Sequence, residues 1–423
     1  MTILLKNANE VITLKSDLEG PRIREKMREV EIMANTSILI EGNRIAAIGP
    51  LVQIEAEFPH LLAEAEVIDA EGKVIMPGLI DCHTHLVHGG TREQEFMMRL
   101  NGATYMEIMN AGGGIHATTK QTRDASFEEL YRKTYRHLDV FLKHGVTTVE
   151  AKSGYGLDWE TEKKQLEVAR KLQDTHPIEI VSTFMGAHAV PRDYKGREDE
   201  FVDVIIRGML PKVAELRLAE FNDVFCEKGV FTPEQSRRIL EAGKALGLIP
   251  KIHADEIEPY KGAELAAEVG AISAEHLLVA SDKGIRKMVD AGTIAVLLPG
   301  TAFFLHAPFA RGRLMIDEGV PVAIATDFNP GSSPTMSLPF MMNLACMNMG
   351  MTLEEVLVAT TINAAYAINR GDQLGSLEVG KQADVLMLNV ENYKQLQYFY
   401  GMNHTHTVIK NGRVVVRNSF LIW

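Results

Sequence analysis

The sequence predicts an α/β fold in which a closed (β/α)8 barrel of the TIM type carries a small β-sandwich domain built from both chain ends. Two observations lead to this prediction. Eight short apolar segments between residues 74 and 333 each end in polar residues, and helical patterns separate most of them. Strand and turn patterns fill the first 70 residues and return near residue 382. We therefore expect a composite β domain from residues 1–73 plus 370–423 and a barrel from residues 74–369.

The two chain ends carry hairpin signals. Strand patterns at residues 37–40 and 44–48 flank Glu41-Gly42-Asn43, and the acidic segment near residues 52–65 is the one helix candidate before residue 70. Near the C-terminus, strand patterns cover residues 382–388 and 407–416, and Asn411-Gly412 within the second is a strong type I′ turn signal. Pairing the strands of the two ends gives the small β domain.

The central segment alternates strands with helices. A capping box at Ser126 and Glu129 opens a helix with apolar positions up to Leu142, and further helices are expected at residues 160–174, 232–246 and 353–369. A doubly wound open sheet fits less well, because no glycine-rich phosphate fingerprint follows an early strand. The eight candidate barrel strands are residues 74–85, 146–156, 178–188, 223–229, 249–256, 271–277, 293–301 and 320–333.

Composition narrows the possible partners and the compartment. The 423 residues include 44 Lys plus Arg against 56 Asp plus Glu, a net charge of -12 that argues against nucleic acid as a partner. No stretch of eighteen apolar residues is present, so we expect no membrane span, and the N-terminus lacks a cleavage-site pattern. The three cysteines are widely spaced and form no CxxC pair, which favours a reducing cytoplasm.

Polar side chains at the strand ends predict a metal site. In a (β/α)8 barrel the C-terminal ends of the strands meet at one mouth. Five of the chain's 14 histidines fall there, which core packing does not explain. Three imidazoles and one carboxylate suit zinc or iron, with a water on the open position. The residues at these ends are His83, His85, His188, His253 with Glu256, His276 and Asp327.

Hydrolytic chemistry follows from such a set. A metal ion lowers the pKa of a bound water, and Asp327 could accept the proton that the water loses. Glu256 lies three residues after His253, close enough to shuttle a proton to a leaving nitrogen. His276 could orient the water or polarise the carbonyl under attack.

Other polar residues have a structural explanation. The His404-Thr405-His406 triplet precedes a hairpin of the small domain, so a structural role is favoured. For Lys152 and Lys228, a solvated or salt-bridged side chain is the default. Tyr155 fits a turn residue and a ligand contact equally well. The histidines that no strand places, which we interpret as loop or helix-end residues, are His88, His116, His144 and His306.

Longer motifs resemble the amidohydrolase superfamily of metal-dependent hydrolases. The resemblance rests on PGLIDCHTH, KIHADE, SAEHL, ATDFNPGSSPT, GSLEVGKQADVLML and VIKNGRVV. Within the superfamily, the chain is most similar to the branch that opens the imidazolone ring in histidine degradation. That likeness runs essentially end to end, through HTHLVHGGTRE, AKSGYGL, STFMGAHAVP, HADEI and TDFNPGSSPT.

The resemblance implies a reaction and a cofactor. The reaction is hydrolysis of 4-imidazolone-5-propanoate, a cyclic amide, to N-formimidoyl-L-glutamate. The cofactor is one zinc or iron ion per subunit, with His276 catalytic rather than a ligand. Lys228 near the end of strand 4 resembles the carboxylated lysine of binuclear members, but His253-x-x-Glu256 is the mononuclear pattern. The implied metal ligands are His83, His85, His253 and Asp327.

The resemblance also implies substrate contacts and an assembly. Arg92 would grip the propionate through charge-assisted bidentate hydrogen bonds. Tyr155, His188 and Glu256 would touch the substrate. The Asn329–Ser332 loop would bind a carboxylate through Asn329, Ser332 and free backbone N–H groups, among them that of Gly331. A homodimer is expected by analogy with other barrel hydrolases.

Two other functions compete with this one. A purine or pyrimidine deaminase of the same superfamily would release ammonia, but a neutral base offers no carboxylate to Arg92. A non-catalytic barrel scaffold would be expected to lose its ligands, and here the whole set is present. Glycines 112–114 and those near Tyr155 are plausible hinges of a gated mouth.

Overall fold

A computed structural model describes residues 1–17, 19–103, 107 and 112–423. Its strands, in chain order, are β1 (Thr2–Ile12), β2 (Ile32–Glu41), β3 (Arg44–Gly49), β4 (Glu66–Asp69), β5 (Val74–Pro77), β6 (Leu79–Asp81), β7 (Val146–Lys152), β8 (Glu179–Ala187), β9 (Phe221–Cys226), β10 (Ile249–Ala254), β11 (Ser273–His276), β12 (Ile294–Leu297), β13 (Val322–Ile324), β14 (Val385–Leu388), β15 (Thr405–Lys410), β16 (Arg413–Arg417) and β17 (Phe420–Leu421).

Strands β6 to β13 form the predicted barrel. They are parallel, and each is hydrogen-bonded to the next along the chain. Just beyond the ends of β6 and β13, Thr84 bridges to Phe328, and the His85 amide donates to the Phe328 carbonyl at 2.9 Å. These contacts join the first and last strands, so the prediction of a closed parallel barrel is confirmed.

The first predicted strand, residues 74–85, is wrong as a single element. It divides at Gly78, where β5 ends and β6 begins. Strand β5 pairs with β1 and β14 in the other sheet, whereas β6 starts the barrel. A Cβ atom at Gly78 would lie 2.2 Å from Thr147 Oγ1, so a glycine is needed where the chain passes from one sheet to the other.

The small domain is built from both chain ends, as predicted. Strands β1 to β5 and β14 to β17 form one mixed sheet in the order β17-β16-β15-β14-β5-β1-β2-β3, with β4 beside β1. Strands from the two chain ends share one apolar cluster, as the layers of a sandwich do, although all of them belong to one continuous sheet. The cluster includes Ile3, Leu5, Ile38, Ile40, Val385, Met387 and Ile409. Both predicted hairpins are confirmed, and Asn411 and Gly412 have φ values of +51° and +73°, as a type I′ turn requires. The domain limits at residues 73 and 369 stay a prediction.

Helices surround the barrel and mostly begin where the sequence indicates. Ser126 and Thr232 form capping boxes for Phe127–Lys143 and Pro233–Ala245. The remaining helices are Leu51–Glu57, Pro59–Leu62, Glu93–Leu100, Ile115–Asp124, Trp159–Thr175, Glu198–Val204, Leu210–Glu215, Gly262–Val269, Asp282–Ala291, Pro299–Leu305, Gly312–Glu318, Leu338–Asn348, Leu353–Ala359, Ile362–Ala367 and Gln395–Tyr398, with a π turn at Ile205–Met209 and 3-10 turns at Arg24–Arg28 and Arg192–Tyr194. Across the described ranges, no helix has the length and apolar character needed to cross a bilayer.

The predicted last helix, residues 353–369, is interrupted. It forms as Leu353–Ala359 and Ile362–Ala367, with a break at Thr360 and Thr361. The Thr360 hydroxyl donates to the Val356 carbonyl at 2.8 Å, and Thr361 bonds similarly to Leu357. Such side-chain bonds compete with the helical backbone pattern and bend helices.

Candidate active site

The mouth of the barrel gathers the side chains that the strand ends predict. His83 and His85 follow β6, and His253 lies in β10. His276 ends β11 and Asp327 follows β13, with φ values of +71° and +53°. These left-handed conformations turn the chain at the strand ends, and backbone strain of this kind concentrates at functional sites. All five side chains are buried.

Four of these side chains have the spacing of metal ligands. His85 Nε2 lies 3.3 Å from His253 Nε2, and Asp327 Oδ1 lies 3.4 Å from His83 Nε2 and 3.7 Å from His85 Nε2. Ligands about 2.0–2.2 Å from a tetrahedral zinc ion lie roughly 3.3–3.6 Å from one another. These three spacings suit ligands of one such ion, and the ligand atoms form two groups that share His83. One group is His83, His85 and His253, and the other is His83, His276 and Asp327.

Two of these donor atoms pair with nothing but each other. Asp327 Oδ1 and His83 Nε2 are buried and lie 3.4 Å apart, and neither has another hydrogen-bond partner among the described residues. Burial favours the neutral form of Asp327, but hydrogen bonding and charge from His83, with a hydrogen bond from Thr301, lower the pKa of Asp327 to about 2. The carboxylate is therefore ionised at neutral pH, as a metal ligand must be.

Two carboxylates set the orientation of the imidazoles. His253 Nδ1 lies 3.1 Å from Asp223 Oδ1, and His83 Nδ1 contacts Glu275 Oε2. Both rings therefore direct Nε2 to the mouth. Burial lowers the pKa of His83, but the charge of Glu275 outweighs it and raises the pKa to about 9. A metal ion that binds Nε2 therefore displaces a proton.

Tyr155 and His188 form one wall of the mouth. The His188 ring stacks on His85 with centroids 4.6 Å apart, and Tyr155 lies 5.2 Å from His188. Burial lowers the pKa of His188 to about 3, and its Nδ1–H donates to the Gly154 carbonyl at 3.0 Å, which leaves Nε2 as an acceptor. Buried Glu162 accepts hydrogen bonds from three amides of this loop, those of Gly154, Gly156 and Leu157.

Glu256 stands beside His276 as a potential proton donor. Its Oε2 lies 3.7 Å from His276 Nε2. Burial, followed by the negative charges of Asp327 and Glu227, raises the pKa of Glu256 to about 8. Glu227 also fixes the loop, because its Oε2 accepts the amides of Glu256 and Ile257 at 3.1 and 2.9 Å. Burial lowers the pKa of His276 to about 3, so this ring is neutral.

Arg92 packs directly against the loop that follows Asp327. A Cβ atom at Gly331 would lie 2.1 Å from Arg92 Nη2, so a larger residue there would displace the guanidinium from its present position. Arg92 Nε lies 3.3 Å from Glu95 Oε2. The expectation of free backbone N–H groups in this loop is wrong: the amides of Gly331 and Ser332 each donate to Asn329 Oδ1 at 2.8 Å. Asn side chains commonly close such local turns.

The chain is similar to known hydrolases over its whole length. The amidohydrolase family model matches residues 74–415. The imidazolonepropionase of Geobacillus sp. (strain WCH70) is 63% identical over 421 residues, covering 100% of this chain and 99% of the relative. That of Brevibacillus brevis is 62% identical over 419 residues, covering 99% of each. The chain belongs to the imidazolonepropionase family. The superfamily and the ring-opening branch that the motifs indicated are both confirmed.

Solved structures with the same fold are more distant in sequence. An atrazine chlorohydrolase of Arthrobacter aurescens complexed with zinc superimposes with a TM-score of 0.75 at 18% identity, covering 99% of this chain and 96% of that one. An adenosine deaminase of Xanthomonas campestris with bound zinc gives 0.72 at 16% identity, covering 99% and 94%. At these identities the likeness establishes the fold of this imidazolonepropionase-family chain and nothing finer.

Most of the remaining histidines lie away from the mouth of this hydrolase. His406 is in β15 of the small domain and bonds Thr407 Oγ1 at 2.9 Å, while His144 caps a helix and contacts the Val140 carbonyl. His88 differs, because it is buried and its ring lies 6.2 Å from that of Tyr155. Lys228 is 61% exposed and paired with Glu258 at 2.8 Å, so its side chain points away from the metal ligands.

Sequence reasoning missed a group of buried charges beneath the mouth, which we call the interior ion network. Lys152, assigned by default to solvent or a salt bridge, lies at its centre. The period-two spacing of Glu150 with Lys152, and of Lys251 with His253, was an available signal, because alternate residues of a barrel strand face inward. The members of the network are Glu150, Lys152, Asp223, Lys251 and Glu275.

A lysine of the network contacts a further cluster of ligand atoms, near His253. Asp223, His253 and Glu275 offer three closely spaced ligand atoms. However, Lys152 Nζ lies 2.8 Å from Asp223 Oδ2 and 2.9 Å from Glu275 Oε2. An ammonium group therefore already supplies positive charge at that position.

Proposed function

We propose that the mouth of the barrel hydrolyses 4-imidazolone-5-propanoate to N-formimidoyl-L-glutamate with a single zinc or iron ion per subunit. Membership of the imidazolonepropionase family supports the reaction. The observation that carries the catalytic proposal is the close approach, at the mouth of the barrel, of Asp327 to His83 and His85 and of His85 to His253.

These four residues would hold the ion. When bound, it would act as a Lewis acid that lowers the pKa of a coordinated water molecule. Three imidazoles and a carboxylate suit both zinc and iron, so the donor set does not choose between them. His276 lies close enough to His83 and Asp327 to be a ligand as well, but its neighbour Glu256 favours a role in proton transfer or carbonyl polarisation.

Substrate would be bound through its carboxylate and its ring. Arg92 is placed to bind the propionate, since its guanidinium faces the loop of Gly331. Tyr155 and His188 would contact the ring from the wall that they form with His85. For Asn329, Gly331 and Ser332 to bind a carboxylate, the two amides would exchange Asn329 Oδ1 for the substrate oxygen.

The chemical steps use three side chains. Water attacks the ring carbonyl carbon, and the Asp327 carboxylate takes its proton. His276 polarises the carbonyl oxygen. The ring C–N bond then breaks while Glu256 protonates the departing nitrogen, and the former carbonyl becomes the new carboxylate of the product. The raised pKa of Glu256, about 8, suits a proton donor at neutral pH.

We infer a homodimer in a reducing cytoplasm for the intact protein. The three cysteines are free thiols, which agrees with that compartment. The dimer rests on analogy with other barrel hydrolases. Sedimentation equilibrium of the purified protein tests it, and a monomer at micromolar concentration contradicts it.

A coupled ring-opening assay tests the proposed function. Urocanase generates imidazolone propionate in the cuvette, and the loss of its ultraviolet absorbance is followed with and without this protein while metal content is measured on the same sample. We expect metal-dependent decay to formimidoylglutamate with about one equivalent of metal per chain. No acceleration by metal-replete protein would overturn the assignment. A screen of nucleobases for ammonia release would then test the deaminase alternative.

A further inference from the structure

Lys152 connects two of the metal-site histidines that come from different strands. Its side chain extends from β7 into the barrel and is fully buried. The ammonium lies 2.8 Å from Glu150 Oε1, 2.8 Å from Asp223 Oδ2 and 2.9 Å from Glu275 Oε2. A lysine is rarely buried to this degree unless it is paired, and here one ammonium is shared by three carboxylates.

Two of those carboxylates are the ones that orient the imidazoles. Asp223 bonds Nδ1 of His253 at 3.1 Å, and Glu275 contacts Nδ1 of His83. The path from Lys152 to each ring therefore contains a single carboxylate. If the ammonium is removed, Asp223 and Glu275 lose their shared partner and repel each other, and the two rings lose the groups that fix them.

The interior ion network has more carboxylates than ammonium groups. It contains two ammonium groups and three carboxylates, so it carries one excess negative charge. That charge favours a cation bound beside the network, because buried charges are tolerated when they are compensated.

We propose that Lys152 is a positioning residue of the metal centre, which holds Asp223 and Glu275 where they orient His253 and His83 toward the ion. This inference rests on the proposed metal site and extends it to a residue that touches neither metal nor substrate. Lys152 acts on metal affinity through the two carboxylates rather than by direct contact.

The test compares two lysines of the same network. Lys152→Met and Lys251→Met each remove one buried ammonium, but Lys251 contacts Glu150 at 2.7 Å and Glu275 at 3.3 Å and does not contact Asp223. Metal dissociation constants are measured by chelator competition, and the visible spectrum of the cobalt-substituted protein reports ligand geometry. We expect Lys152→Met to weaken metal binding about 10–100-fold and to change the cobalt spectrum, with a smaller effect of Lys251→Met.

Several outcomes separate this inference from the proposed function. Absence of metal binding by the wild type would overturn the metal site itself. Wild-type affinity and spectrum in a folded Lys152→Met variant, or equal losses in both variants, would overturn only the role of Lys152.

If Lys152→Met does not fold, the charge-balanced double variant Lys152→Met with Asp223→Asn replaces it and is compared with Asp223→Asn alone. We expect the double variant to bind metal more weakly than Asp223→Asn alone, because in the single variant Lys152 still holds Glu275 against His83. Equal metal affinity of the two variants would contradict the proposal.

Discussion

Two neighbouring groups of buried charges in this barrel differ in how fully they are paired. In the interior ion network each carboxylate lies 2.7–3.3 Å from an ammonium nitrogen. At the mouth, Asp327 Oδ1 and His83 Nε2 are equally buried, but they lie 3.4 Å from each other and have no other hydrogen-bond partner among the described residues. The groups meet at His83 and His253, which each turn one ring nitrogen to the network and the other to the mouth.

The difference indicates which group binds a ligand. An unpaired buried polar atom costs about 1–3 kcal/mol of folding free energy, so a folded protein keeps one only where something else compensates. The mouth therefore carries an energetic cost that a metal ion and substrate can remove. The network recovers less from a ligand, because each of its carboxylates already lies beside an ammonium nitrogen, and its role is to hold the mouth in place.

Replacing Asp327 should have the largest effect on activity. Asp327→Asn keeps the shape of the side chain but removes both a metal ligand and the proton acceptor. We expect kcat to fall by at least about 10³-fold, with loss of bound metal in the same sample. Steady-state kinetics and metal analysis measure this. Asp282→Asn, at an exposed ion pair with Arg311, is the matched control and should keep wild-type activity. An Asp327→Asn variant with activity within tenfold of the wild type would contradict both roles of Asp327.

Replacing Glu150 should have the largest effect on stability. Glu150 bonds both lysines of the interior ion network, at 2.8 Å to Lys152 and 2.7 Å to Lys251, so Glu150→Gln takes a charged partner from two buried ammonium groups at once. We expect the free energy of unfolding to fall by about 3–5 kcal/mol in urea titrations. Glu200→Gln breaks an exposed ion pair with Arg197 and should change the free energy of unfolding by less than about 1 kcal/mol. Equal effects of the two substitutions would show that burial does not distinguish these pairs.

Removing Arg92 should separate substrate binding from catalysis. Arg92→Ala takes away the cation proposed for the propionate and leaves the metal ligands unchanged. We expect KM to rise by about 10²-fold while kcat falls much less, which is the signature of lost substrate binding. The KM of Arg92→Lys should lie between those of the wild type and Arg92→Ala, because lysine keeps the charge but loses the bidentate geometry. A wild-type KM for Arg92→Ala would mean that the propionate is bound elsewhere.

The position of the mouth residues followed from the sequence, because in a (β/α)8 barrel the topology alone brings strand ends together. His83, His253 and Asp327 could be placed without knowing any distance between them. The division at Gly78 could not be predicted, since β5 and β6 are apolar and give one continuous pattern although they enter different sheets. Periodicity reports burial, and it does not report which sheet buries a strand.

Contacts between side chains of different strands were the second feature that could not be predicted from the sequence. Glu275 adjoins His276 in the chain, yet it contacts His83 from the first barrel strand. Such partners depend on the register of the whole barrel, which no local pattern encodes. In the loop after Asp327, glycine and serine are compatible both with free amides and with an Asn-closed turn. The competing local hydrogen bond to Asn329 decided between them.

Replacing Glu179 should have the smallest effect on stability. Its ion pairs are partly exposed to solvent, whereas those of the interior ion network are buried. At the start of β8 Glu179 joins the barrel to the C-terminal part of the chain, with Arg370 at 3.2 Å and Lys410 at 3.3 Å, and its side chain is 22% exposed. Burial raises the pKa of Glu179, but the charges of Lys410 and Arg370 outweigh it, so the pKa is lowered overall. The stabilisation is therefore complete above the unfolded pKa of about 4.3 and disappears as the pH falls through the folded value.

Glu179→Gln should thus cost about 0.5–1.5 kcal/mol of unfolding free energy at pH 7, and this difference from the wild type should shrink as the pH approaches 3. Urea titrations of both proteins across that range measure it. If Glu179→Gln lowered the unfolding free energy at pH 7 as much as Glu150→Gln does, solvent would not be screening the Glu179 pairs. Burial would then not explain the difference between the two groups of ion pairs. A loss that stays constant with pH would show instead that the substitution acts through packing rather than through the charge of Glu179.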